Sequence, residues 1–368
     1  MLGGLGSKMG ITGELELESA APADLGGVEL RGQLRIGGVA VRISGARLTD
    51  VIFDSEHEPF REGVGVSDID LQVEWVADLA PIAGRVLFDS GSTWRLYRCE
   101  DEFQFDFIAA GRPYKRLFVD RDFHRARLQM NDGYFSAFPH LADPLGYPLD
   151  ELLIMHRLTQ EKGIELHSCG IVRPDGTGNL FVGHSGAGKS TTTRLWTARE
   201  DVEVLSDDRI IVRRDEGCDV RIPRKAAGDA SKPEVLRLRD RSASPNGHSA
   251  QDDRTGKIPH FAQDDKKKSG MRMYGTPWHG EAAYASPGSA PLARIFILEH
   301  GRGNVLTRLS PSQAVGELFA RSFVPFHRHE YVDSALEFLQ ELVGAVPVYH
   351  YAFEPNEAAV ERILEFRD

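Results

Sequence analysis

The sequence predicts an α/β protein, α+β overall, in which a smaller strand-rich domain (1–148) precedes a domain of alternating strands and helices (149–368). Three observations predict it. Short alternating segments fill the chain from about Glu14 to Met130, strands and helices alternate from Ile164 onward, and a glycine-rich loop, Gly183 to Ser190, lies between a predicted strand and a predicted helix.

With 368 residues, 41% of them apolar, the chain has enough material for a core in each domain. A net charge of -11 lacks the basic footprint of a nucleic-acid or anionic-membrane binder, so neither partner is expected. Cys99, Cys169 and Cys218 stand far apart and form no metal-ligand spacing, so neither a disulfide framework nor a zinc site is suggested and a reducing cytoplasm fits. The first residues carry no long apolar stretch, and no window approaches the roughly 18 apolar residues of a membrane span. A cytoplasmic location is therefore expected.

In the first domain the strands follow from alternation in Val28 to Ile36, Trp94 to Arg98 and Phe103 to Phe107. The turn-rich stretch Asp143 to Asp150 leads into a helix through Leu152, Leu153, Met155 and Leu158, with Gly163 as its expected stop. Strands follow at Ile164 to Val172 and Leu180 to Val182, split by the turn Pro174 to Gly178, and after the loop a helix runs through Leu195 and Trp196. Val332, Ala335, Leu336, Leu339, Leu342 and Val343 recur at helical spacing, closed by Gly344 and Pro347. A strand from Val346 to Phe353 and a helix through Val360, Ile363 and Leu364 end the chain.

Residues 222–270 break this pattern. They hold four prolines, one aromatic residue and 11 Lys/Arg against 7 Asp/Glu, and they repeat Ala-Gln-Asp-Asp at Ala250 and Ala262, a low-complexity signature expected to be disordered. Because Arg209 to Arg214 and Met271 to Tyr274 both read as strands, the stretch is expected to be an insertion in a hairpin loop, which loop-closure entropy tolerates.

The chemistry concentrates in Gly183-His184-Ser185-Gly186-Ala187-Gly188-Lys189-Ser190, followed by Thr191. Glycines let successive backbone N–H groups turn onto phosphates, Lys189 reaches the terminal phosphates, Ser190 offers a hydroxyl to Mg²⁺, and the following helix adds its positive dipole end. Asp207 and Asp208 end the strand Val202 to Leu205, where one carboxylate can hold the metal while its neighbour accepts a proton from an attacking hydroxyl. His167, on the strand before the loop, can reach the phosphates. Tyr274-Gly-Thr-Pro-Trp-His-Gly-Glu packs Gly275, His279 and Glu281 into a dense polar turn that is either an additional site or a rigid turn anchored by Trp278. Leu309-Ser-Pro-Ser-Gln lacks the glycines of a transporter-ATPase signature, and Ser310 is expected to cap a helix.

Gly-x-Ser-Gly-x-Gly-Lys-Ser-Thr followed by Asp207-Asp208 resembles the nucleotide site of HPr kinase/phosphorylase and of the ATP-dependent phosphoenolpyruvate carboxykinases. His167 with Gly170 is similar to the histidine segment of HPr kinase, and the likeness spans about Ile164 to Phe353 without the insertion. The Tyr274 to Glu281 block and the ending from Val346 resemble HPr-kinase-like bacterial proteins, some of them found with peptide-modification systems. The resemblance implies an HPr-kinase-like P-loop fold, ATP and Mg²⁺ as cofactors, Asp207 as base, Asp208 and Ser190 as metal ligands, and catalytic roles for Lys189 and His167. It further implies a protein or peptide substrate carrying an acceptor serine, and self-association into a homo-oligomer. Thr191 departs from the family, which carries an acidic residue there. The alternatives are a nucleotide-binding regulatory protein with little or no transfer, and a small-molecule kinase.

Overall fold

The computed structural model describes residues 29–45, 47, 53–82, 84–199, 201–215 and 270–367. They divide into two compact units, one drawn from Met1–Gln33, Val41–Phe53 and Glu62–Gly146, the other from Leu34–Ala40, Asp54–Arg61 and Tyr147–Asp368. The structure is mixed α/β, with two nine-stranded sheets and helices. Among the described residues no helix is long and apolar enough to cross a membrane.

The first sheet takes β1 (Glu29–Ile36), β2 (Val39–Gly45), β3 (Arg61–Glu62), β4 (Ile69–Val76), β5 (Arg85–Asp89), β6 (Trp94–Arg98), β7 (Glu102–Ala109), β8 (Arg112–Asp120) and β9 (Arg125–Asn131), in the order β3-β1-β2-β4-β9-β8-β7-β6-β5. Its strands form because apolar side chains recur every second residue. In β4, Ile69, Leu71 and Val73 are buried while Asp70 and Gln72 face water, and in β7 Phe103, Phe105 and Phe107 share one face. Asp106 is buried on the opposite face, where Arg116 clamps it with two bonds of 2.7 and 2.9 Å, so neither charge is left unpaired. Helix α1 (Asp132–Ala137) closes this unit.

The second unit opens with α2 (Leu149–Gln160), then β10 (Gly163–Val172), β11 (Gly178–Val182), α3 (Lys189–Thr197), β12 (Glu203–Ser206) and β13 (Arg209–Arg214). Gly163 is not the helix stop that the sequence suggests. Lys162 takes the left-handed turn at φ 54°, and Gly163 begins β10, where a Cβ would lie 2.9 Å from both Leu158 and Arg213 side chains. The glycine is needed for close packing, while the turn itself is tolerated by a lysine.

After residue 270 come β14 (Met271–Tyr274), β15 (Ser289–His300), β16 (Val305–Arg308), α4 (Pro311–Phe319), β17 (Ser322–Phe323), α5 (His329–Ala345), β18 (Val348–Phe353) and α6 (Glu357–Glu365). Ser310 caps α4 in a capping box with Gln313, as its position before Pro311 suggests. β13 and β14 pair antiparallel, with Arg214 opposite Met271, so the flanks of 222–270 do form a hairpin. The expected insertion itself lies outside the described residues, apart from Gly270.

Two long strands organise this unit. The first half of β10 pairs with β13 and its second half with β11, while β15 begins beside β14 and continues parallel to β11 and then to β18. Strand alternation sends successive residues to different cores: Leu180, Val182, Ile295 and Ile297 enter one with α4 and α5, while Phe181, Phe296 and Leu298 enter another with Trp196 of α3 and Val360 of α6. The glycine-rich loop therefore leaves the end of β11 from a sheet packed on both faces, which fixes its starting point.

Candidate functional site

The loop is shaped by its glycines and by what packs against them. Gly186 and Gly188 take φ of 82° and 103°, a region costly for residues with a Cβ, and Gly188 is the residue before the first turn of α3. A Cβ at Gly183 would lie 2.7 Å from that of Ala187, and one at Gly188 only 2.5 Å from the ring of Phe353. His300, at the end of β15, donates from Nε2 to the Gly186 carbonyl at 2.8 Å and stacks on Phe353. The backbone of His167 accepts the Gly183 N–H at 3.1 Å, tying the loop to β10.

Lys189 is only 7% exposed, and its ammonium donates to the carbonyls of Gly183 at 3.0 Å and His184 at 3.4 Å. It also lies 2.8 Å from His167 Nε2 and 3.8 Å from Asp208 Oδ1. Burial holds the Lys189 ammonium below its ordinary pKa, and Asp208 opposes that shift. His167 Nε2 is in turn 2.9 Å from Asp208 Oδ1. One ring nitrogen holds either a proton or a lone pair, so at any moment it either accepts from Lys189 or donates to Asp208. Asp208 also pairs through Oδ2 with Arg209. Burial raises the Asp208 pKa, but the His167 hydrogen bond and the charges of Arg209, His167 and Lys189 outweigh it and hold the carboxyl below its usual value.

The two aspartates do different things. Asp207 is 1% exposed, and its carboxylate accepts three backbone N–H groups: Gly280 at 3.0 Å and Tyr284 at 3.2 Å on Oδ1, Ala282 at 2.9 Å on Oδ2. It anchors the segment from Gly280 to Tyr284. Asp208 is the carboxylate presented to Lys189 and His167.

A cavity of about 530 Å³ joins these groups, with Ser185, Lys189, Ser190 and Thr191 on the loop side and His167, Asp208 and Glu281 opposite. Arg194 and His300 complete the wall, and neither stands out in the sequence. Arg194 had a usable signal, since it follows Ser190 by four residues on α3 and so shares its face. His300 had one only after strand order was known, because it ends a parallel neighbour of β11, where α/β sheets bind ligands.

The block Tyr274 to Glu281 is dispersed by the fold. Gly275 lies between backbones, where a Cβ would meet the Ser286 carbonyl at 2.0 Å and the Leu205 carbonyl at 2.7 Å, so it serves packing. Glu281 faces the cavity beside the glycine-rich loop. His279 faces a second cavity and bonds Glu56 through Nε2 at 2.9 Å. The Gly280 carbonyl raises the His279 pKa, burial opposes it, and the hydrogen bond and charge of Glu56 add to the rise. Trp278 is buried with Nε1 on Asp150, so the block is also a firmly held turn.

Behind Asp208, the Arg209 Nε lies 2.8 Å from Glu151 and 3.2 Å from Glu165, with the guanidinium over the Phe323 ring at 4.2 Å. Burial of Glu165, reinforced by the neighbouring Glu151, pushes its carboxyl well above the ordinary range. Arg209 is thus a hub of three carboxylates. A scan against protein-family models found no match for the chain, and a search of curated proteins found none.

Proposed function

We propose that the chain is an ATP- and Mg²⁺-dependent kinase that transfers the γ-phosphoryl group to a hydroxyl, most naturally a serine of a protein or peptide, on a fold of the HPr-kinase and phosphoenolpyruvate-carboxykinase type. The convergence of Lys189, His167 and Asp208 on one cavity beside the glycine loop carries this reading. Loop amides and Lys189 stabilise charge on the phosphates. The acceptor oxygen forms its bond to the γ-phosphorus as the bond to the β,γ-bridging oxygen breaks, the electron pair leaves with ADP, and Asp208 takes the hydroxyl proton. His167 holds Asp208 and Lys189 in register.

Asp208 takes the role of base that the resemblance gave to Asp207, because Asp208 lines the cavity whereas Asp207 is buried behind it beneath the three amides it accepts. Among the described residues no group of three or more His, Cys, Asp or Glu can hold a metal. A nucleotide-borne Mg²⁺ needs no such group, since it takes one or two protein ligands beside phosphate oxygens and water. Ser190 would hold it as the resemblance implies, with Glu281 on the wall of the same cavity in place of Asp208, which this reading makes the base; bound there it would neutralise charge on the phosphates. Lys189→Ala should weaken ATP binding at least tenfold and abolish transfer, read by calorimetry and by label from γ-labelled ATP. Unchanged ATP affinity would end the proposal.

A further inference from the structure

Asp208 lies on the walls of two cavities. One is the phosphate-loop cavity; the other, about 310 Å³, lies between the segment Asp54–His57, the start of α2 and the turn Pro277–His279, all within the second unit. The two cavities thus share the carboxylate proposed to take the proton, which places the second beside the reacting group. At this volume the second cavity is at the small end for a ligand site, so it admits one or two side chains and excludes a folded surface.

Its charge is lopsided. Asp54, Glu56, Asp150 and Asp208 line it with one guanidinium and two imidazoles: Arg209 already serves Asp208, Glu151 and Glu165, His57 bonds Asp150 and His279 bonds Glu56, so the carboxylates outnumber the groups that can carry positive charge. Asp150 carries the strongest signal. It is 2% exposed, and its Oδ2 is 2.5 Å from Trp278 Nε1 and 3.1 Å from His57 Nε2, while Oδ1 is buried without a hydrogen-bond partner among the described residues. A buried carboxylate oxygen left unpaired is costly, and a cationic donor is the group that satisfies it best. Tyr147 and Trp278 also line the cavity, and aromatic rings suit the same kind of ligand.

We propose that this second cavity receives the phosphate acceptor and selects a hydroxyl carried beside a positive charge. Two sources share that chemistry: a serine next to lysine or arginine in an extended peptide, and a small amino alcohol. The inference rests on the kinase reading above, since only a phosphoryl donor in the first cavity gives the second an acceptor.

The test measures binding to the full chain loaded with a non-hydrolysable ATP analogue. Its probes are Ala-Lys-Ser-Arg-Ala and Ala-Glu-Ser-Glu-Ala peptides with blocked ends, and ethanolamine against ethylene glycol. At least one cationic probe should bind tenfold or more tightly than its counterpart, and the pair that discriminates identifies the source. Glu56 is half exposed, so Glu56→Gln should keep the fold while shrinking that ratio at least threefold, in the peptide pair by strengthening the anionic peptide as it weakens the cationic one. Equal binding within both pairs, preference for the anionic peptide, no binding of any probe, or an unchanged ratio in Glu56→Gln overturns the inference. ATP affinity of the unaltered chain, measured separately, tells the two ideas apart. If ATP binds and no probe discriminates, only the acceptor assignment falls; if ATP does not bind, the kinase reading falls with it.

Discussion

Replacing Asp207 by asparagine distinguishes a loop anchor from a catalytic base. In the native protein one carboxylate oxygen serves Gly280 and Tyr284 and the other serves Ala282. An asparagine has one carbonyl oxygen, so its best placement keeps the first two bonds as neutral ones and turns an NH₂ group toward the Ala282 N–H. A lost hydrogen bond to a charged group is worth about 1.5–3 kcal/mol, and an orphaned buried donor costs about 1–3 kcal/mol. Since the two overlap, a total near 3 kcal/mol is expected. For a unit of this size each kcal/mol moves Tm by roughly 2–4 °C, so Tm should fall by about 6–12 °C. Amide exchange at Gly280, Ala282 and Tyr284 should accelerate together. Asp208→Asn should behave in the opposite sense, with a small thermal shift and a loss of transfer of about 10²- to 10⁴-fold, the usual weight of a general base. The reasoning is refuted if Asp207→Asn leaves Tm within about 1 °C and lowers transfer a hundredfold at saturating ATP, because that pattern belongs to a base and not to an anchor.

Gly188→Ala places a Cβ at φ 103° and within 2.5 Å of the Phe353 ring, so it should displace the loop and lower ATP affinity severely, and Phe353→Ala in the same chain should restore only the part due to the clash. Calorimetry on the single and double variants reads both. His156 is fully buried, and burial, followed by the neighbouring His327, lowers its pKa to about 3, while burial and Arg328 lower that of His327 to about 4. With folded pKa values below the unfolded value near 6.5, stability is full above that pH and drains as pH falls toward 4 and 3, because the unfolded chain takes up protons that the folded chain refuses. His156 alone should cost about 2 kcal/mol between pH 7 and pH 5, and His156→Phe should flatten the urea-unfolding midpoint over that interval.

How much of the site was legible follows from how local each interaction is. Gly183 to Ser190 could be read directly because its demands fall on contiguous residues: backbone conformation at Gly186 and Gly188, a lysine that folds back onto the carbonyls of its own loop, and a hydroxyl at the helix start. Strand periods were legible for the same reason, since alternation is set by each strand alone. The two aspartates were visible as a pair, and their division of labour was not. Adjacent strand-end residues point apart, and the amides that claim Asp207 come from residues 280–284, more than seventy positions away. Glu281 and His279, two residues apart, likewise face different cavities.

By itself the sequence determined an α/β chain with a phosphate-type loop followed by a carboxylate pair, because propensity, glycine conformation and short-range spacing depend on neighbours along the chain. Only the tertiary structure decided that Asp208, and not Asp207, stands before Lys189 and His167, that His300 closes the loop, and that Glu56, His57 and Asp150 share a wall with Trp278. Those decisions depend on strand register and on backbone donors supplied from distant segments, and a buried polar group is satisfied by whichever donor the fold brings to it.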